Sequence, residues 1–464
     1  MLNFWDFSVW SKILLFAVLF VSLLVANIVK KALPFLQKSL IPTSVLAGGV
    51  LVLVEFIYKL ITGDVFFDSS LFDYNGTAAL EVITYHTLAL GFIASALKSS
   101  DKKLTKKRTT EIFNSGVTTV ATYLLQGIIG LAITIIAAFI LTDFFSAAGI
   151  LLPFGYGQGT GQALNYGNIF EVENGFVGGK SFGLTIAAFG FISASVGGVI
   201  HLNIAKRRGR LKPASSEHHL TAEEIESPDE IPMQESIDKL TVQVALISLS
   251  YFMTYGIMQL LGLLLPGMRS TIFGFNFLLG VLCAMLVKTV LKFFKKRALV
   301  KKEYLNNFLL TRTSNFFFDI MVVSGIAAIR LDILEKYWGI LLILSAAGLV
   351  STFLYCRFIA NVLFKEYSQE QFLATYGMLT GTACTGIILL REIDGDFKTP
   401  AADNLVYQNL PAIVFGFPLM LIATLAPKMP VITLVIIIAF FIVMNIILFR
   451  SFIFKRSKKG NKKE

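Results

Sequence analysis

The chain of 464 residues is 55% hydrophobic and only 15% charged, with 42 phenylalanines and a mean hydropathy of +0.71. That balance excludes a soluble globular domain and describes an integral membrane protein. The net charge of +11 does not mark a nucleic-acid binder, because the basic residues lie at separate juxtamembrane ends with no folded domain to gather them into one patch. Contact with anionic lipid and control of topology account for them.

In chain order, apolar runs of about 20 residues, long enough for a hydrocarbon core of about 30 Å, fall near 11-34, 41-63, 79-99, 114-142, 180-204, 240-265, 270-292, 308-330, 338-363, 402-427 and 430-453. The expectation is therefore eleven transmembrane helices. The first run ends in Lys30-Lys31 without a small-residue cleavage site, so it is expected to be a retained helix. Segments 143-179 and 364-401 are too apolar and glycine-rich for ordinary loops, and each is expected to be a re-entrant hairpin. Residues 205-239 begin KRRGRLK and continue through EHHLTAEEIESPDEIP, a composition expected to form a disordered cytoplasmic linker. His218 and His219 within it are expected to be solvated. Cys283, Cys356 and Cys384 have no metal spacing and are expected to be reduced core thiols.

Lys and Arg collect at Lys30 to Lys38, Lys102 to Arg108, Lys206 to Lys212, Lys292 to Lys302 and Arg450 to Lys463. Alternating spans put all of these on one side, which predicts a plasma-membrane protein with its N-terminus outside and its C-terminus in the cytoplasm.

The two hairpin segments share a pattern. FGYGQGTGQALNYG (Phe154 to Gly167) and YGMLTGTACTG (Tyr376 to Gly386) superpose at a shift of 222, pairing Gly155 with Gly377, Gly159 with Gly381 and Thr160 with Thr382. Similar shifts carry the second, fourth and fifth spans onto the seventh, ninth and tenth. The fold expected is thus all-α, with two inverted five-helix repeats (1-204 and 240-429) that each contain a hairpin, followed by an extra C-terminal helix and basic tail (430-464).

Such breaks expose backbone groups that lipid cannot satisfy. The helix restarting after each tip offers N-H groups and the positive end of its dipole to an anion. The arm entering each tip, at Gly155 to Gly157 and at Gly377, offers carbonyls to a cation. Gln158, Gly159, Thr160, Gly161, Gln162 and Asn165, with Thr380, Gly381, Thr382 and Thr385, are the expected substrate-binding residues. Arg391, which with Glu392 closes the second hairpin, either pairs with a substrate carboxylate or snorkels to the interface.

Ionisable residues inside spans are costly and mark pathways. Asp319, with Asn315 four residues earlier on the same helical face, is the expected cation-binding pair, a structural pairing being the alternative. Glu55 and His86 are expected to be packing or interface residues. No nucleophile-base pair or metal triad suggests an enzyme.

The chain resembles the glutamate:sodium symporter family. The resemblance rests on IPTSVLAGG (Ile41 to Gly49), ALEVITYHTLALGFIASALK (Ala79 to Lys98), GQGTGQA in the first hairpin, AAFGFISASVGGVI (Ala187 to Ile200) and SNFFFDIMVVSGIAAIRL in the eighth span. It implies a homodimer in which a mobile unit carrying both hairpins moves against a fixed scaffold, with Na⁺ and an acidic amino acid between the tips. By position, Gly157, Gly159 and Thr160 would belong to the first tip, and Thr380, Gly381 and Thr382 to the second. The family's second tip contains Pro and Asn where this chain has TGTACTG, so aspartate or another small dicarboxylate stands beside glutamate as substrate. The function expected is sodium-coupled symport without a cofactor beyond Na⁺. A proton-coupled organic-anion carrier or a channel using the same broken helices is the alternative.

Overall fold

The structure is a computed structural model that describes residues 3-98, 105-207, 230-233, 237-297, 302-394 and 398-452. The expected linker falls largely outside them, as do His218, His219 and most of the basic C-terminal tail. Seventeen described α-helices follow in order. They are α1 Phe7–Ala32, α2 Pro34–Lys38, α3 Thr43–Thr62, α4 Gly76–Leu97, α5 Lys106–Ile140, α6 Thr160–Asn174, α7 Gly179–Arg207, α8 Lys239–Leu264 and α9 Arg269–Gly274. The remainder are α10 Asn276–Lys296, α11 Asn307–Ala327, α12 Trp338–Leu363, α13 Ser368–Thr380, α14 Ala383–Arg391, α15 Ala401–Tyr407, α16 Asn409–Ala423 and α17 Pro430–Leu448.

Among the described residues nine helices are long and apolar enough to cross a membrane. The expected tenth span is a pair, α15 and α16, bent by 51° just before Pro411, where a proline ring and its missing N-H interrupt helical hydrogen bonding. The expected eighth span is α11, a 21-residue helix that carries Arg312 and Asp319 and is not among the nine. The protein is an all-α, multi-pass membrane protein.

The chain forms two compact units, each drawn from both halves of the sequence. The first holds most of α1 and α3 together with α4 and α8 to α11. Its core joins Ile93, Ala94 and Leu97 of α4 to Ile247, Ala284, Val287, Leu305 and Leu310. Hydroxyls tie α4 to α11: Thr84 Oγ1 lies 2.9 Å from Ser324 Oγ, and Ser314 Oγ donates to Gly91 O at 2.9 Å. Such bonds substitute for the hydrophobic drive that lipid removes between helices.

At the start of α8, Lys239 is fully buried and donates to Glu230 Oε2 at 2.8 Å, which also accepts from Asn306 Nδ2 at 2.6 Å. Removing one partner of a buried pair strands the other charge. Lys239→Met is therefore expected to cost about 3 kcal/mol, seen as a lower melting temperature of the purified protein; an unchanged melting temperature would mean the pair contributes nothing.

The second unit holds α5 to α7 and α12 to α17, so both glycine-rich segments lie within it. α5 runs for 35 residues from an N-cap in which Thr105 accepts from Arg108 N at 3.3 Å. At 1.5 Å per residue it is about 52 Å long, more than a bilayer core requires.

Candidate functional site

Each glycine-rich segment is a pair of short helices broken at a tip. In the first, a 3-10 turn (Ala148–Ile150) and a π-helical turn (Pro153–Gly157) lead to the break, and α6 restarts at Thr160. π turns are rare and gather at functional sites. The break itself is made by Gly159, whose φ of +81° and ψ of -173° lie in a region only glycine enters without strain. In the second, α13 ends at Thr380 and α14 begins at Ala383, with extended Thr382 as N-cap. The arms α6, α13 and α14 have 15, 13 and 9 residues, each short of the about 20 needed to span.

Neither Gly159 nor Thr382 places a side-chain cap on the helix it opens. The first turn of a helix leaves its N-H groups without intrahelical acceptors, and an uncapped start favours negative charge. Gln162, in that first turn of α6, is 1% exposed. Neither its Oε1 nor its Nε2 has a hydrogen-bond partner among the described residues. A buried carboxamide in that condition costs about 1–3 kcal/mol for each unmet group, unless something polar is received there.

The arms entering the tips are held by α5. Tyr123 OH donates to Gly157 O at 3.1 Å, at the end of the first arm. Gln126 Nε2 donates to Leu379 O at 2.9 Å, near the end of the second, and to Thr352 Oγ1 of α12 at 2.9 Å. Tyr123 and Gln126 are three residues apart and so share a helical face. One face of α5 thus grips both tips.

α7 lies against both. A Cβ on Gly190 would stand 2.6 Å from Thr380 O and 3.3 Å from Tyr156 Cα, so this glycine admits both arms at once. Three residues on, Ser193 takes a tyrosine from each: its Oγ is 2.8 Å from Tyr156 OH, and its carbonyl accepts from Tyr376 OH at 2.7 Å. The AAFGFISASVGGVI run is the spine on which the two hairpins meet.

The expected site residues divide accordingly. Gly159, Thr160, Gly161, Gln162 and Asn165 are buried at the start of α6, and Gln158 is half-buried at the break. Thr380, Gly381 and Thr385 are buried at the second tip, with Thr382 partly exposed beside them. Thr380 Oγ1 turns back to Tyr376 O at 2.7 Å, a bond within its own helix. Thr382 and Thr385 hydroxyls are 3.4 Å apart. Gly155 and Gly377 are close-packing positions, the first against Ile186 of α7 and the second against Gly386 of the opposing arm. Arg391 is exposed at the far end of α14, about 13 Å along the helix from the tip. Asn315 and Asp319 are exposed positions on α11, in the first unit.

Beneath the second tip a buried polar chain continues. Gln371 Nε2 donates to Thr375 Oγ1 at 2.9 Å and to Ser115 Oγ at 3.1 Å, and Gln371 Oε1 accepts from Asn404 at 2.8 Å. Ser115 Oγ in turn donates to Gln408 Oε1 at 2.5 Å. All these residues are neutral. Among the described residues the buried carboxylates are Glu55, in the first unit, and Asp394, whose oxygens accept from Lys398 N, Thr399 N and Thr399 Oγ1.

Gln126, Tyr123 and Ser193, which bond to the arms entering the tips, are missing from the sequence-based site. Gln126 carries the one available signal, a lone carboxamide within the apolar run ATYLLQGIIGLAITII. Fold and site together define a multi-pass α-helical membrane protein with two broken helices that converge inside one compact unit. No protein-family model matches the chain, and no curated protein does.

Proposed function

We propose that the protein is a secondary active transporter that carries a small acidic solute, glutamate before aspartate or another dicarboxylate, together with Na⁺. The reading includes eleven spans in two inverted repeats, the N-terminus outside, and a homodimer in which the hairpin-bearing unit moves while the other unit stays fixed. What carries it is the Gln162 carboxamide, buried and unpartnered among the described residues at the uncapped start of α6. A donor and an acceptor beside a positive helix end suit a solute with a carboxylate. The placement of both broken helices in one unit fits movement of that unit as a body, with the solute exposed to one side at a time. Each net positive charge carried inward gains about 2.3 kcal/mol per 100 mV, so Na⁺ in excess of the solute's charge would drive accumulation.

Purified protein in liposomes is expected to take up labelled glutamate only under an inward Na⁺ gradient, with unlabelled acids competing. Uptake driven equally well by a pH gradient alone would replace sodium by protons, and failure of every acid to compete would remove the anion. Gln162→Leu keeps the volume and deletes both polar atoms. It is expected to raise the half-saturating solute concentration about ten- to a hundredfold, one lost charge-assisted hydrogen bond being worth about 1.5–3 kcal/mol. An unaltered half-saturation with folded protein would take Gln162 out of the site.

A further inference from the structure

Gln126 is fully buried, and its two ends are in opposite conditions. Its Nε2 makes two bonds, to Leu379 O and Thr352 Oγ1, each of 2.9 Å. Its Oε1 has no partner among the described residues. Turning the amide over does not relieve this, because it would set Oε1 against the Leu379 carbonyl and leave two N-H donors unmet instead of one acceptor. The orientation is therefore fixed by the second hairpin. The oxygen meanwhile faces the first: a Cβ on Gly157 would lie 3.1 Å from it, and Gly157 is the last residue of the π-helical turn before the break. A bare acceptor is thus held between the ends of the two entering arms.

We propose that Gln126 Oε1 is a direct ligand of the coupling cation, in a cage of neutral oxygens set between the two tips. The inference rests on the transporter reading and assigns the cation to Gln126 in place of the expected pair Asn315 and Asp319. An alkali cation accepts such a cage, since hard cations take carbonyl and carboxamide oxygens. Because no ligand in it titrates, sodium affinity is independent of pH. This separates the site from a proton-coupled one, which needs a carboxylate that gains and loses its proton along the path.

The test is thermal unfolding of the purified full-length protein against NaCl, with choline chloride holding ionic strength constant. A ligand that binds only the folded state stabilises it by RT ln(1 + [L]/Kd), so the half-saturating Na⁺ concentration is obtained by fitting the rise of melting temperature against NaCl to that relation. Wild type is expected to be stabilised by Na⁺ with the same half-saturation at pH 6 and pH 8. Gln126→Met, close in shape and without the oxygen, is expected to raise that half-saturation about tenfold or more. Thr352→Val removes a partner of Nε2 and leaves Oε1 in place, and stays near wild type. Gln126→Glu keeps an oxygen and adds a titrating carboxyl, so its sodium response becomes pH-dependent. That gain of behaviour does not depend on the methionine variant folding.

An equal half-saturation in Gln126→Met and wild type overturns the ligand role and leaves the solute site standing. Equal weakening in Gln126→Met and Thr352→Val also overturns it, by showing that Gln126 acts only through the bond the two share. No sodium response in wild type, with glutamate uptake intact, overturns the sodium coupling and this inference together.

Discussion

Gly190→Val is expected to raise the half-saturating solute concentration for uptake about ten- to a hundredfold while leaving the protein folded in the membrane. The β-carbon alone would sit 2.6 Å from Thr380 O and 3.2 Å from Tyr156 Cδ2, against an ordinary C···O approach of about 3.3 Å or more. Both obstructed residues belong to arms that run into a tip, and the carbonyl is backbone that cannot swing aside as a flexible side chain would. The strain therefore opens the junction between the hairpins. Overpacking of this kind costs about 1–3 kcal/mol, and a site assembled from both tips loses about ten- to a hundredfold in affinity for that amount. Gly256→Ala is the control, since a β-carbon there meets nothing within 4 Å. Labelled-solute uptake beside size-exclusion profiles decides the matter: an unchanged half-saturation in Gly190→Val would mean that the tips need not meet at α7 for transport.

The same junction explains what could be read from the chain and what could not. The hairpins were legible because Gly, Thr, Gln and Asn concentrated in an apolar setting break helices for a physical reason, and Gly159 and Gly381 stand at the two breaks. The residues that brace the breaks were not legible. Charge inside a span draws attention to Asn315 and Asp319, whereas the side chains bonded to the arms entering the tips are neutral and leave no such mark. One glutamine in a 35-residue helix leaves almost no mark on composition, and its importance comes from Leu379, more than 250 residues away in sequence. Nor does the glycine register of 222 give the packing register. Tyr156 and Tyr376 share Ser193 at a spacing of 220, the first through the serine hydroxyl and the second through the serine carbonyl. The burial of Gly155 and Gly377 against neighbouring helices likewise could not be separated from ligand binding by residue type, since close packing and exposed backbone both select glycine.

The largest effect on folding is expected from Gly149→Val, at the entrance to the first hairpin. A β-carbon on Gly149 would stand 1.9 Å from Gly130 O and 2.1 Å from Gly130 C, and one on Gly130 would stand 2.0 Å from Gly149 O. Here two stretches of backbone touch directly, so there is no side chain to repack. Relief requires moving the hairpin entrance away from α5 by more than an ångström. That movement would also break the bonds around Thr134, whose Oγ1 donates to Ser146 O at 2.7 Å and accepts from Gly149 N at 3.0 Å. The cost should exceed the about 3 kcal/mol at the upper end of ordinary overpacking, enough to remove the monodisperse species on extraction. Thr134→Val, which removes the hydroxyl and its hydrogen bonds and adds no clash between backbones, should cost about 1–3 kcal/mol and remain folded with a lower melting temperature. The difference between the two variants measures the backbone apposition itself, and a stable, active Gly149→Val would show that it does not exist. If it does, α5 is fused to the first hairpin at Gly149 and to both tips through Tyr123 and Gln126. A tip could then not open by swinging away from α5 alone, and under the transport function proposed above alternating exposure would fall to the hairpin-bearing unit as a body.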